Sequence, residues 1–173
     1  MSYRIDTARA DELPLLAPIE RAAATRFPVE LLPAELREHS LAMATLRAAQ
    51  QDGRLWLARD AQGTPVGFAC VEVVAAHALL AELDVHPEHG RRGLGAALLQ
   101  AAVDWAAGRG LPALYLTTFR DFAPSAALYR KRGFVPLTAV DTPAFLATRL
   151  AEEDASGLGG RVAMRLSLGG ARG

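Results

Sequence analysis

One run constrains this chain more than any other: Leu83-Asp-Val-His-Pro-Glu-His-Gly-Arg-Arg-Gly-Leu-Gly-Ala-Ala-Leu-Leu99. An apolar strand pattern stops at Pro87. A tight segment with Gly90, Gly93 and Gly95 and the arginines Arg91 and Arg92 follows, and a helical period begins at once, with Ala96 in its first turn. Glycine lets backbone N–H groups approach an anion closely. A helix start offers unsatisfied donors at the positive end of its dipole. The run therefore predicts a cradle for a pyrophosphate-like anion. It is not a dinucleotide fingerprint, because the third glycine of Gly-x-Gly-x-x-Gly is missing, and it is not a Walker loop, because Gly-Lys-Ser/Thr is missing.

The pattern around this run alternates between the two secondary-structure periods. Strands are predicted over residues 3–8, 54–58, 65–74, 79–85, 111–118, 134–140 and 161–168. Helices are predicted over 11–25, 33–51, 93–107, 124–132 and 142–153. The helix at 93–107 carries Leu94, Leu98, Ala101 and Trp105 on one stripe, widened by Leu99 and Val103, as a helix packed on a sheet requires. The order of elements defines a mixed α/β layer arrangement.

Length and composition set the frame for that anion site. The chain has 173 residues, and roughly 150 residues per domain is the usual expectation, so residues 1–168 are read as a single domain and 169–173 as a flexible tail. Apolar residues make up 51% and charged residues 22%, the balance of a folded soluble domain. Nineteen basic residues offset nineteen acidic ones, which argues against a nucleic-acid or acidic-membrane binder acting through bulk charge. The apolar neighbourhood at 66–85 is broken by Glu72, His77, Glu82 and Asp84 and cannot span a bilayer. The N-terminus carries no leader pattern, and a cytoplasmic location is expected. Cys70 stands alone in an apolar run, which excludes an internal disulfide and a multi-cysteine zinc site.

A second run, Leu114-Tyr-Leu-Thr-Thr-Phe-Arg-Asp-Phe-Ala-Pro-Ser-Ala-Ala-Leu-Tyr-Arg-Lys-Arg-Gly-Phe134, follows at a distance of thirty-odd residues. Together the two runs resemble the GNAT superfamily of acetyl-CoA-dependent N-acetyltransferases. Val85 and Pro87 with Gly93 and Gly95 match the family's cofactor loop, and Leu128, Tyr129, Gly133 and Phe134 match its Leu-Tyr-x-x-x-Gly-Phe helix end. The sequence departs from the family's pattern at four places. Gly90 stands where Gln or Arg is usual, Phe122 where Asn is usual and Ser125 where Ala is usual. Thr117 occupies a strand-end position that carries Glu in some members.

The resemblance implies a mostly antiparallel central sheet with helices on both faces, in which strands 79–85 and 111–118 are parallel neighbours that splay apart. It implies acetyl-CoA as cosubstrate and no metal. Leu83, Val85, Gly90, Arg91, Arg92, Gly93, Gly95, Ala96, Ser125 and Tyr129 would hold that cosubstrate. The Val85 N–H would polarise the thioester carbonyl, and Tyr129 would return a proton to the leaving thiolate. The implied reaction moves an acetyl or short acyl group to a primary amine by direct attack through a tetrahedral intermediate. The acceptor would be a small-molecule amine or a peptide or protein amine, and homodimers are common in the family. The alternative is a catalytically silent coenzyme A sensor or scaffold; a binder of some other phosphate ligand is a third reading.

An attacking amine must be neutral, and amines with pKa of roughly 8 to 10 need somewhere to put a proton. Glu82 and Asp84 are two apart on one strand and so share a face. Two carboxylates that close raise the pKa of one of them. If Leu83 and Val85 pack under helix 93–107, that face points towards helices 11–25 and 33–51, where the family binds acceptor. Glu82 is the first choice of general base, Asp84 the second, and Glu72 or water the fallback. His77, His86 and His89 are read as solvated side chains, since two loop histidines do not complete a metal site. Trp56 and Trp105 are assigned to the core.

Overall fold

The computed structural model describes residues 2–169; Met1 and most of the expected tail, residues 170–173, lie outside the described residues. The strands are β1 (Arg4–Thr7), β2 (Leu55–Arg59), β3 (Pro65–Val74), β4 (His77–Val85), β5 (Ala113–Phe119), β6 (Val135–Pro136) and β7 (Arg161–Ser167). The helices are α1 (Leu16–Ala24), α2 (Met43–Gln51), α3 (Leu94–Gly108), α4 (Ala123–Arg132) and α5 (Ala144–Ala155). The strands form one sheet in the order β1-β2-β3-β4-β5-β7-β6. Every neighbouring pair is antiparallel except β4 and β5. The fold is thus the mixed, mostly antiparallel α/β sheet expected. Among the described residues no helix is long and apolar enough to cross a membrane.

The sheet buries both faces. Leu94, Leu98, Leu99, Ala102, Val103 and Ala106 of α3 pack with Ala69, Val71, Leu114 and Leu116 on one side. On the other, Leu16 and Ile19 of α1 and Leu46 and Ala49 of α2 cover Leu55, Leu57, Phe68 and Cys70. Leu146 of α5 covers Leu79, Ala113, Tyr115 and Ala163. Cys70 is fully buried as a small hydrophobe, and burial pushes its thiol up to about 12.

β4 does not alternate as its sequence suggests. Cys70 pairs with Glu82, but Val71 pairs with Leu80, so Ala81 is an extra residue in a bulge. The bulge flips the phase. Before it, Leu79 faces α5 and Leu80 faces α3. After it, Leu83 and Val85 face α3, as expected, and Glu82 and Asp84 face the α1 side.

Three predicted elements change extent. The helix expected over 33–51 is broken into a short 3-10 turn at Ala34–Leu36, an irregular segment at 37–42, and α2. Tertiary bonds replace the helical ones: Arg37 donates to the carbonyls of Leu32 and Phe27, at 3.1 and 2.6 Å, and the Leu41 N–H goes to the Glu20 carboxylate. The first helix, expected over 11–25, is a 3-10 turn at Ala10–Leu15 before α1, held by the buried Glu12–Arg59 pair. The strand expected over 134–140 shrinks to two residues, because Thr138 and Asp141 close a turn through side-chain and backbone bonds.

The end of β4 is fixed from beneath by Gly67 on β3. A Cβ there would lie 2.8 Å from the Asp84 carbonyl oxygen and 3.2 Å from Val85 Cγ2. Gly67→Ala must therefore push β4 aside, and overpacking of this kind costs about 1–3 kcal/mol. We expect a lower melting temperature together with weakened function, measured by thermal unfolding and assay. An unchanged melting temperature would show that β4 yields freely there.

Candidate active site

The site begins with a failure of pairing. β4 and β5 meet only at Ala78–Leu114 and Leu79–Tyr115, and beyond these the strands diverge. On its other edge β4 stays paired to Val85, and the His86 N–H bonds to the Val66 carbonyl at 2.8 Å. Backbone polar groups along an antiparallel ladder alternate in direction. If His86 points to β3, Val85 and Leu83 point into the gap, with no strand to receive their N–H and C=O groups.

A cavity of about 340 Å³ opens over this gap. Leu80 to Asp84 of β4 lie on one side of it, Thr117 to Phe119 of β5 on another, and Ser125 and Tyr129 of α4 join them. Glu20, Phe27 and the irregular segment at 37–42 form the opposite wall.

Three carboxylates share the floor. Oxygen atoms of Glu20, Glu82 and Asp84 all lie within 4.8 Å of one another. None is within ion-pair distance of a cation among the described residues. One Asp84 carboxylate oxygen is buried without a hydrogen-bond partner. Burial, reinforced by Glu82, pushes the Glu20 carboxyl up to about 8. Burial likewise raises Asp84 to about 7, and burial with the neighbouring Asp84 carries Glu82 well above the usual carboxylate range. The three titrate as one unit, and near neutral pH that unit has room for a proton. Among the described residues this is the one cluster whose donors are placed to share a cation, and it contains no histidine.

Tyr129 is buried, edge-on to Phe134 at 5.8 Å. Burial, and after it the charges of Glu82 and Asp84, raise its phenol above its ordinary range, so it stays protonated at neutral pH. Thr117, at the strand-end position, donates to Glu153 of α5 at 2.7 Å, and Arg161 bonds the same carboxylate at 3.1 Å. Glu72 is bound to Arg149 at 2.6 Å and does not line the cavity, which removes it as a base of this site.

The glycine–arginine segment follows β4 in the chain and leads into α3. Gly93 caps α3 at φ 77° and Arg91 also has positive φ, 60°. The first helical bond runs from Ala97 N–H to the Gly93 carbonyl, 3.0 Å, which leaves the amides of Leu94, Gly95 and Ala96 as the orphan donors of the helix start. A Cβ on Gly95 would meet only Leu128 Cδ2 at 3.6 Å, so packing does not demand glycine there. What a bare backbone provides is room for a ligand, and the residues fit an anion. Arg91 and Arg92 are exposed beside it. Leu128 precedes Tyr129, so this loop touches the helix that carries the phenol.

The predicted residues thus fall into two adjoining groups. Glu82, Leu83, Asp84, Ser125 and Tyr129 line the cavity, and Gly90, Arg91, Arg92, Gly93, Gly95 and Ala96 surround the α3 start; Val85 is outside the lining, its side chain buried in the core with α3. His86 accepts from the Glu88 amide, His89 meets the Tyr3 hydroxyl at 3.0 Å, and His77 stacks on Phe145. Sequence reasoning missed Glu20, Arg37, Glu153 and Arg161. Glu20 sits in an Ala-rich amphipathic helix with no motif around it, and only the fold brings it to β4.

A splayed parallel pair with a helix-start anion cradle defines a class of fold and site, and comparison with known proteins gives that class its family. The model of the GNAT family of acetyltransferases matches residues 17–134. The chain belongs to that family. It is 32% identical over 102 residues to the ribosomal protein bS18 alanine N-acetyltransferase of Escherichia coli, covering 58% of this chain and 69% of that one. The crystal structure of that E. coli enzyme superposes with a TM-score of 0.66 at 25% identity, over 99% of this chain and 98% of the other. A mycothiol acetyltransferase of Clavibacter michiganensis subsp. michiganensis is 45% identical over 80 residues, 46% of this chain and 26% of that protein. The chain thus spans about a quarter of that relative's length.

The carboxylate floor has a signature in stability. Asp84 rises from an ordinary 3.8 to about 7 on folding. A group with raised folded pKa contributes stability that is complete below its unfolded value and is lost as pH rises through the folded one. One group can change stability by at most about 1.4 kcal/mol per pH unit in this window. We expect the wild-type melting temperature to fall between pH 4 and 7.5, and that of Asp84→Asn to fall less. Equal slopes would show that Asp84 ionises freely in the folded protein.

Proposed function

We propose that this chain, with residues 1–168 acting as one catalytic unit, is an N-acyltransferase that moves an acetyl or short acyl group from acyl-coenzyme A to a primary amine. The observation that carries the reading is the gap between β4 and β5, whose floor holds Glu82 and Asp84 and whose far side holds Tyr129. The amides of Leu94, Gly95 and Ala96, with Arg91 and Arg92, would hold the pyrophosphate of coenzyme A at the positive end of α3. The free backbone groups of Leu83 and Val85 would pair with the extended pantetheine arm. The Val85 N–H would then face the thioester carbonyl and stabilise negative charge that grows on its oxygen.

Glu82 takes the proton of the attacking amine. Its proton affinity, raised by burial and by Asp84, is closer to that of an amine than an ordinary carboxylate's would be, and the cluster spreads the charge. Tyr129 donates to the departing thiolate. Its phenol is raised partly by the charge of Glu82. Once Glu82 is protonated that contribution vanishes, so proton uptake at the amine makes Tyr129 a better acid when the thiolate needs one. Ser125, near the start of α4, offers a hydroxyl to the same arm. The acceptor enters between the 37–42 segment and β4.

The reading is tested by following thiol release from acetyl-CoA with a panel of an alanine-initiated peptide, an amino sugar and a polyamine. Amine-dependent release is expected for at least one. Coenzyme A that raises the melting temperature without any turnover would favour a silent sensor. Gly95→Glu should abolish that thermal shift by placing a carboxylate against the pyrophosphate; unchanged binding by the folded variant would misplace the cradle.

Tyr129→Phe should lower turnover by about 10²- to 10⁴-fold, the usual worth of a general acid, with little change in the KM for acetyl-CoA. Unaltered turnover would assign that proton to water. Glu82→Gln should depress kcat/KM mainly below the pKa of the amine, with the deficit closing at higher pH. A deficit constant across that range would give Glu82 a binding role instead.

A further inference from the structure

The wall of the cavity at 37–42 has no regular secondary structure; Arg37 ties one end of it to the carbonyls of Leu32 and Phe27, and Glu20 grips the other. Both carboxylate oxygens of Glu20 accept the Leu41 N–H, at 3.1 and 3.0 Å. The Leu41 side chain packs onto the core beneath α1 and α2. The same Glu20 carboxylate lies within 4.8 Å of oxygens of Glu82 and Asp84. Glu20 therefore touches the wall and the floor at once.

We propose that Glu20 is a positioning residue that couples closure of the 37–42 wall to the charge on the carboxylate floor. A proton, or the ammonium of an arriving amine, favours the closed wall; uncompensated negative charge on Glu20 releases it. The functional consequence rests on reading the cavity as the acceptor pocket, while the coupling itself does not.

The sign follows from what Glu20 gains and loses. In the closed wall its carboxyl is raised to about 8, chiefly by burial and then by Glu82, against the lowering effect of the Leu41 N–H. Opening returns the carboxyl to water and breaks the Leu41 bond. Burial is the larger of these opposed effects, so the open state holds its proton less tightly. The state with the higher proton affinity is favoured at low pH, and the wall should loosen as pH rises through about 8.

Other charges face the same space. Glu82 and Asp84 project from β4, Arg21 lies beside Glu20 on α1 and reaches Glu38 at 3.8 Å, and Arg26 follows that helix. His39 and Arg37 stand on the wall itself, the guanidinium of Arg37 held by the carbonyls of Leu32 and Phe27. Across the cavity are Tyr129, the Arg161–Glu153 pair and Arg149, whose partner Glu72 lies outside the lining. Glu20 is distinguished from all of them by its hydrogen bonds to the wall backbone.

The test is residue-resolved hydrogen exchange of the full chain without ligand, read as the protection factor of the Leu41 amide. In the wild type this should fall by about tenfold between pH 7 and pH 9, the change linkage gives when a group near pH 8 titrates in one state only. Glu20→Gln keeps an acceptor oxygen but cannot ionise, so its protection should be independent of pH. Glu20→Ala should show low protection at every pH, with thermal unfolding confirming that it is folded. A pH-independent wild type overturns the proposal, as does a Gln variant that loosens like the wild type or an Ala variant with full protection. If no amine of the panel is acetylated while the exchange pattern holds, the acyl-transfer reading fails and the coupling stands.

Discussion

Two residue pairs join β4 to β5, and everything distinctive about this molecule follows from the absence of a third. A sheet interior normally satisfies every backbone group. Here the register ends at Leu79–Tyr115, six residues before β4 itself ends at Val85. The unpaired edge would be costly if buried dry, and it is tolerated because it borders an open cavity; in the proposed reaction an extended ligand would supply the missing strand there. The separation is held from both sides. Gly67 lets β3 close on the end of β4, and β5 is drawn the other way by seven register pairs with β7.

The charges of the cavity are sorted by what they do to that gap. Arg37 spends its guanidinium on backbone carbonyls, and Arg161 and Arg149 are paired with Glu153 and Glu72. These contacts fix the walls. The floor carboxylates Glu20, Glu82 and Asp84 have no such partner, and burial leaves them competing for protons. An arrangement that penalises its own ionisation is poor for stability and suited to receiving a cation or a proton. In the proposed reaction, these carboxylates would take the proton of the amine beside the phenol that would return one to the thiolate.

Much of this was legible in the chain because local rules agree with the global fold at the places that matter. The Pro87 stop, the glycines and the α3 start are all local chemistry, and they fall in the structure where the sequence puts them. Glu82 and Asp84 share a face because their strand alternates regularly beyond the bulge. What could not be read was everything that depends on a distant partner. The bulge at Ala81 has no glycine or proline to mark it. The helix expected over 33–51 fails because Arg37 and Glu20 offer its backbone tertiary partners, and periodicity alone cannot weigh those. Glu153 stands beside Thr117 only because α5 folds back across β5 and β7, so a strand-end position without a carboxylate of its own acquires one from another element.

The most direct test of the central claim is the position of the sulfur in a crystal structure of this protein with coenzyme A bound. The pantetheine arm should lie between β4 and β5, hydrogen-bonded to Leu83 and Val85, with the pyrophosphate over Gly93 to Ala96 and the sulfur facing Tyr129. Coenzyme A bound with its thiol outside that gap, or β4 and β5 zipped together past Leu79 in the complex, would contradict it.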